Sequence, residues 1–289
     1  MSDPQVRPFA DARPRLVGLA YRILGSYSDA EDVVQDAWLR WSGADQSVIE
    51  NPNGWLTTVV TRLALDRLRR GQREQERYVG PWLPEPLVNR GDPASMVEMA
   101  DSLTTAYLLV LEELSPEERV AFLLVDVFGE PFRSVAEILD RTDEACRQLA
   151  SRARKKLRRG NEATHQLDAS ERAAAERFIA ALATGDTDTA LDCVADDAVL
   201  ISDGGPNRRA ARRPVQGRDR VVRFLVNIAA RRPPNLNWSL ATVGGFPGAV
   251  FYDGNEPLLT LSFEAIDGLF ARVFIVSNPD KLRHLQRAG

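Results

Sequence analysis

The stretch S-V-A-E-I-L-D-R-T-D-E-A-C-R-Q-L-A-S-R-A-R-K-K-L, Ser134 to Leu157, sets a short helical pattern, a tight turn and a longer helical pattern in succession. Thr142 stands where an N-cap is needed, and Asp143 and Glu144 follow in the first turn, where the helix dipole favours carboxylates. In the longer helix Cys146, Leu149, Ala150, Ala153 and Leu157 recur at helical spacing and form the face expected to be buried. Arg147, Gln148, Ser151, Arg152, Arg154, Lys155 and Arg158 share the opposite face. Short helix, turn and basic second helix make a helix-turn-helix, which offers exposed side chains to a major groove. Arg147, Gln148, Ser151 and Arg152 fall where base edges would be read, and Arg154, Lys155 and Arg158 where phosphates would lie.

Upstream, L-S-P-E-E ends one helical pattern (Leu103, Tyr107, Val110, Leu111, Leu114) and begins another (Val120, Leu123, Leu124, Val127). Ser115 with Glu118 forms a capping box, Pro116 suits the first helical position, and Gly129 with Pro131 ends the run. Residues 9–78 also read as helices. In A-E-D-V-V-Q-D-A-W-L-R-W, Val33, Val34, Ala37, Trp38 and Trp41 make the packing face, while Glu31, Asp32, Gln35 and Asp36 make an acidic, polar one. A turn-rich loop precedes a helix expected from Trp55 to about Arg70, with Leu56, Val59, Val60 and Leu63 inward and Arg62, Asp66, Arg69 and Arg73 outward.

The chain has 289 residues, 44% hydrophobic and 27% charged, which is ordinary globular composition with room for two or three domains. Its net charge of −4 argues against coating nucleic acid through bulk positive charge. The charge is nevertheless uneven. Eight basic residues lie between Arg141 and Arg159 against two acids, and Arg62, Arg67, Arg69, Arg70, Arg73 and Arg77 form a second cluster. Two local polyanion contacts are expected. Cys146 and Cys193 are isolated, and His165 and His284 lack ligand spacing, so neither a disulfide framework nor a metal site is expected. No long apolar run and no secretory layout at M-S-D-P-Q-V-R-P point to the cytoplasm, with no membrane contact.

Between the helical blocks P-W-L-P-E-P-L, Pro81 to Leu87, cannot continue a helix, because proline lacks the backbone N–H and pushes its predecessor into extended geometry. It is a connector, running from about Tyr78 to Met96. Trp82 and Leu83 left in water would forgo roughly 25 cal/mol per Å² of burial, so the linker is expected to dock. From about Asp168 the pattern becomes α+β. Helices near Arg172–Ala183 and Arg218–Ala230 surround the strand-like runs A-V-L-I-S, L-N-W-S-L-A-T-V, A-V-F-Y, L-L-T-L-S-F-E-A-I and L-F-A-R-V-F-I-V, the last two flanking an Asp267-Gly268 hairpin turn.

Y-R-I-L-G-S-Y-S-D-A-E-D-V-V-Q-D-A-W-L-R-W, N-P-N-G-W-L-T-T-V-V-T-R-L-A-L-D-R-L-R-R and the pair L-S-P-E-E-R-V-A-F-L-L-V-D-V-F with A-C-R-Q-L-A-S-R-A-R-K-K-L resemble regions two and four of the extracytoplasmic-function sigma factors of bacterial RNA polymerase, in the sigma-70 family. W-L-P-E-P, D-G-G (Asp203, Gly204, Gly205) and N-P-D-K-L (Asn278, Pro279, Asp280, Lys281, Leu282) resemble the signature of the subgroup with a C-terminal SnoaL-like domain, a ketosteroid-isomerase-like cone. Pro206 stands where that pattern usually has a further glycine. The resemblance implies two all-α sigma domains and an α+β cone: region two over residues 1–78, linker 79–97, region four 98–160, cone 168–289.

By the same resemblance Glu31, Asp32, Gln35, Asp36 and Trp38 bind core RNA polymerase, with its beta-prime clamp and beta flap as partner surfaces. The loop Ser42 to Asn51, with Asn53, Trp55, Arg62, Asp66, Arg67, Arg69 and Arg70, takes the promoter's minus-ten element, and the basic helix takes the minus-thirty-five element. Trp82, Leu83, Pro84, Glu85 and Pro86 meet the D-G-G turn and the N-P-D-K-L tail inside the chain, with Glu85 expected at the rim near Lys281 or an arginine. The expected function is promoter-specific transcription initiation, with no catalysis and no cofactor. Two other readings share the motifs: a helix-turn-helix regulator whose cone binds a small ligand, and a SnoaL-type cyclase or isomerase using Asp203, Asp253, Glu264 or Asp267.

Overall fold

The computed structural model describes residues 7–75, 78, 80–89, 104–157, 169–206 and 208–286, which fall into two compact units: residues 1–76 with 106–163, and residues 77–105 with 164–289. The expected residues Leu103, Arg77, Arg158, Arg159 and His165 lie outside the described residues, as does the side chain of Arg73.

The first unit is helical. α1 (Arg7–Leu24), α2 (Tyr27–Ser42) and α3 (Pro52–Gln75) pack together around Leu16, Leu19, Ile23, Val34, Trp41, Leu56 and Val60. Ser26 caps α2 by accepting from the Asp29 amide. α3 is longer than the spacing of its leucines suggests, and its buried stripe is turned: Leu56, Thr57, Val60, Thr61, Ala64 and Leu65 are inside, while Val59 and Leu63 are half-buried. Two threonines therefore belong to the core, and the Thr57 hydroxyl reaches the Asn53 carbonyl at 2.7 Å instead of solvent.

α4 (Thr105–Glu112) leads to α5 (Pro116–Phe122), whose capping box forms in both directions between Ser115 and Glu118. The chain continues as one π turn, Leu123–Val127. The wider turn breaks helical register, so Val127, expected inside, is 41% exposed. α6 (Phe132–Leu139) ends at Asp140 in the left-handed region (φ 53°), and α7 (Asp143–Leu157) begins where the Thr142 hydroxyl accepts from the Ala145 amide. Cys146, Ala150 and Ala153 bury the face of α7 that meets α5 and α6, with Leu149 and Leu157 half-buried at its edges.

The second unit is α+β. After α8 (Ala169–Thr184) and the short α9 (Thr187–Asp192), strands β2 (Val194–Asp203) and β3 (Val215–Gln216) precede α10 (Arg218–Ala230). β4 (Leu236–Val243), β5 (Phe246–Asp253), β6 (Glu256–Ile266) and β7 (Leu269–Val276) follow, and then α11 (Pro279–Leu282) and a 3-10 turn at Arg283–Leu285. With β1 (Val88–Asn89) from the linker the sheet order is β1-β4-β5-β6-β7-β2-β3, antiparallel except between β2 and β7. The turn between β6 and β7 uses positive φ at Asp267 (52°) and Gly268 (79°). α8, α9 and α10 cover one sheet face, where Phe178, Phe263 and Phe270 pack with centroids 4.7–5.4 Å apart.

Candidate functional site: the linker clasp and the polar helix faces

The second unit gathers all three short motifs. Pro81 and Trp82 are half-buried, while Leu83, Pro84, Glu85, Pro86, Leu87 and Val88 are buried. Asp203, at the end of β2, has no exposed surface and sits at the centre of the contact. Its carboxylate accepts from the Leu83 amide (2.9 Å), the Gly205 amide (3.0 Å), the Tyr78 hydroxyl and Lys281 Nζ (2.7 Å). Lys281 also donates to the Leu83 carbonyl and places its ammonium 4.0 Å from the centroid of the Trp82 ring. Asn278 donates to the Tyr78 oxygen at 2.8 Å and caps α11 by accepting from the Asp280 amide. Gly205 has φ +63°, and an added Cβ there would meet the Asn278 side chain at 2.6 Å, so turn and tail touch only because the residue is glycine.

Burial and the nearby Asp203 carboxylate drive the Tyr78 phenol well above its ordinary range, which keeps it a neutral donor. Glu85 departs from expectation. It is 2% exposed, and its partner is His284, whose Nδ1 lies 2.8 Å from Glu85 Oε1 while Nε2 lies 3.0 Å from the Pro86 carbonyl. Lys281 instead pairs with the fully buried Asp203. Pro279 is half-buried, Asp280 exposed and Leu282 buried.

Gly244 bonds the chain at two points, Leu87 in the linker and Thr105 at the start of α4. Its amide donates to the Leu87 carbonyl (2.7 Å) and its carbonyl accepts from the Thr105 amide (2.8 Å). With φ +55°, and a Cβ position 2.0 Å from Thr105 Oγ1, only glycine fits. Tyr78, His284 and Gly244 belong to no motif read above, although the paired glycines Gly244-Gly245 were a visible signal for an unusual turn.

In the first unit Asp32, Gln35 and Asp36 are exposed on α2, as the acidic-face reading requires. Glu31 is half-buried, paired with Arg13 and accepting from the Tyr27 hydroxyl (2.9 Å), while Trp38 packs on Phe9 with centroids 5.0 Å apart. Arg67 pairs with Asp29 and Asp32. On α3 Asn53, Asp66 and Arg70 are exposed and Trp55 packs against Trp41. Arg62 donates to the carbonyls of Glu137 (2.6 Å) and Ile138 (3.3 Å) at the end of α6, and Arg69 binds Glu117 at 2.6 Å. Arg119, buried and unremarked in the sequence, donates to the Ile23 carbonyl (2.9 Å) and pairs with Glu112.

α7 divides into free and committed charges. Arg147 is exposed, loosely paired with Asp143 and Glu144, and lies over the Phe132 ring. Gln148, Ser151 and Lys155 are exposed. Arg152, expected at base edges, instead binds Glu118 (3.2 Å), and Arg154 binds Asp126 (2.9 Å). Burial pushes the Glu118 carboxyl up, but Lys156, the Ser115 amide and Arg152 outweigh it and hold it below its ordinary value. Among the described residues no cluster of His, Cys, Asp or Glu has the makings of a metal site, and no helix is long and apolar enough to cross a membrane. A cleft of roughly 430 Å³ lies between the start of α8 and β4–β5, lined by Arg172, Glu176, Leu240, Thr242 and Pro247.

Models of three protein families match the chain: Sigma-70 region 2 over residues 9–74, Sigma-70 region 4 over 104–157, and a SnoaL-like domain over 175–268. The ECF RNA polymerase sigma factor SigJ of Mycobacterium tuberculosis is 40% identical across 96% of this chain and 93% of its own length. The probable ECF RNA polymerase sigma factor SigI of the same organism is 36% identical across 66% of this chain and 67% of its own. The crystal structure of M. tuberculosis SigJ superposes with a TM-score of 0.73 at 37% identity, covering 96% of this chain and 98% of that one.

Proposed function

Because the chain belongs to the extracytoplasmic-function sigma factors and carries a SnoaL-like domain at its C-terminal end, we propose a division of labour in promoter-specific initiation in which that domain governs the linker between regions two and four. The observation that carries this is Asp203, whose buried carboxylate ties together Tyr78, Leu83 and Lys281. A connector whose Tyr78, Leu83 and Leu87 are hydrogen-bonded into the SnoaL-like domain is no longer a free tether.

The exposed carboxylates and amide of α2, with Trp38, dock on the beta-prime clamp of core polymerase, and region four engages the beta flap. Arg147, Gln148 and Ser151 read bases at the minus-thirty-five element while Lys155 binds phosphate, and Arg152 and Arg154 brace α7 against Glu118 and Asp126. The loop 42–51 and α3 take the minus-ten element, where Arg62 and Arg69 exchange their contacts at Glu137, Ile138 and Glu117 for nucleic acid. Extruding a base costs a few kcal/mol, so this loop must supply a pocket as well as charge. The work is done beside the polymerase, in the cytoplasm. In this reading the cone has no catalytic role, which fits an inner face packed with Phe178, Phe263 and Phe270 and the pairing of Asp203 and Glu264 with Lys281 and Arg272.

Co-purification with core RNA polymerase tests the reading, and Asp32→Ala with Gln35→Ala should weaken it. An unchanged pull-down would sink the assignment of the α2 face. On DNA, Arg147→Ala should relax base preference at one position and lower affinity by about 1–3 kcal/mol, whereas Lys155→Ala should weaken all sequences alike and lower the salt slope by about one. Equal loss of selectivity from both would overturn the division of α7.

A further inference from the structure

Between β2 and β3 the chain reads G-G-P-N-R-R-A-A-R-R-P, Gly204 to Pro214. Arg208, Arg209, Arg212 and Arg213 are all exposed, and among the described residues none of them has a carboxylate in ion-pair reach. That sets them apart within their own unit, where Arg218 pairs with Asp196, Arg272 with Glu264 and Arg283 with Asp280. The nearest carboxylate in sequence, Asp203, is fully buried and held by Lys281, so it neutralises none of them.

The loop is built in. A Cβ on Gly204 would stand 2.8 Å from both Ala210 Cβ and the Arg208 carbonyl, so the chain folds back on itself there only because glycine leaves the space. The Ser202 hydroxyl accepts from the Ala211 amide at 3.4 Å, and β3 returns the chain to β2 through Val199–Gln216 and Leu200–Val215. Four like charges within six residues repel one another, and the fold holds them together with no carboxylate paired to them among the described residues, on a chain of net charge −4. Such an arrangement is stabilised by an external polyanion.

We propose that this loop is a further DNA contact of the chain, in which Arg208, Arg209, Arg212 and Arg213 bind the phosphate backbone of duplex DNA without regard to sequence. It rests on the reading that the chain is a promoter-binding sigma factor. Guanidinium forks match phosphate oxygens two at a time, and four of them on one short loop can take adjacent backbone phosphates. The loop leaves the sheet at the D-G-G turn that also holds Leu83 and Lys281, so DNA contact and linker docking meet at one turn.

The test is the salt dependence of binding to a random-sequence DNA duplex, followed by anisotropy from about 50 to about 200 mM salt, with the full chain. Each phosphate contact contributes about 0.9 to the slope of log K against log salt. Replacing all four arginines by glutamine should lower the slope by two or more, and replacing all four by lysine should restore most of it. An unchanged slope, with Trp82 fluorescence showing the linker still docked, overturns the proposal; so does a variant that loses core polymerase binding while keeping its DNA slope, since the loop then faces protein. Lys155→Ala on the same duplex separates the two readings: its loss of about one unit reports α7 whatever the loop does.

Discussion

Asp203 concentrates the argument at the scale of single residues. A carboxylate without exposed surface is tolerated when charge and donors surround it, and here one ammonium, one phenol and two amides do so. Asp203→Asn leaves Lys281, itself largely buried, without its counter-charge, and breaking a buried pair this way costs about 3–5 kcal/mol. Urea titration followed by Trp82 fluorescence should show the second unit weakened on that order; a shift below about 1 kcal/mol would mean that the network is slack. Tyr78 adds a pH signature. Its phenol titrates above the ordinary tyrosine range in the folded chain, so its contribution is complete below about pH 10 and is lost as pH rises toward the folded value. Tyr78→Phe should flatten that alkaline loss. The D-G-G and N-P-D-K-L motifs made Asp203 and Lys281 legible in the sequence, whereas Glu85 was assigned the wrong partner. Spacing along a chain does not reveal that Lys281 is paired with the fully buried Asp203 while His284 sits against Glu85.

Among the elements, α5 and α7 share a residue. Glu118 closes the capping box on Ser115 and simultaneously receives Arg152 and Lys156. The box was readable because its two members lie three residues apart; the cross-helix pairing was not, because it depends on how α7 lies against α5. This is why Arg152 and Arg154 looked free for DNA. Glu118 is held below its ordinary value in the folded chain, so its stabilisation is present above the usual glutamate range and is lost as pH falls through the folded value. Comparing urea midpoints of the first unit at about pH 7 and about pH 4, the parent should lose more stability than Glu118→Gln. Equal losses would remove Glu118 from the acid response. Periodicity placed the helices themselves well, and it failed where the period changed. The π turn at Leu123–Val127 exposes Val127, and Thr57 and Thr61 turn the core stripe of α3, Thr57 packing as an apolar residue because it returns its hydroxyl to the helix backbone.

At the scale of the whole molecule the question is what the linker does. A free connector of about 30 residues would spread its ends over roughly 30 Å. Here Leu87 and Thr105 are both hydrogen-bonded to Gly244, and β1 pairs with β4, so both positions are held on the α+β domain. Prolines suit this state, since a chain already restricted to extended geometry loses less entropy on docking than a glycine-rich one. In the proposed division of labour, docking decides whether both promoter elements are engaged at once. Trp82 and the tail are the two sides of that contact, joined by Lys281 over the indole ring. A double-mutant cycle isolates their coupling. Promoter-dependent transcription with core polymerase, on a promoter selected from a genomic library, is measured for Trp82→Ala, for removal of residues 278–289 and for both. Residues in contact typically couple by about 0.5–3 kcal/mol, whereas distant ones add. We expect the double change to do little more than the tail removal alone, because without Lys281 the indole has already lost its cation. If the two effects add while both singly altered proteins remain folded, linker and tail act separately in transcription, and the α+β domain does not govern the sigma regions through this clasp.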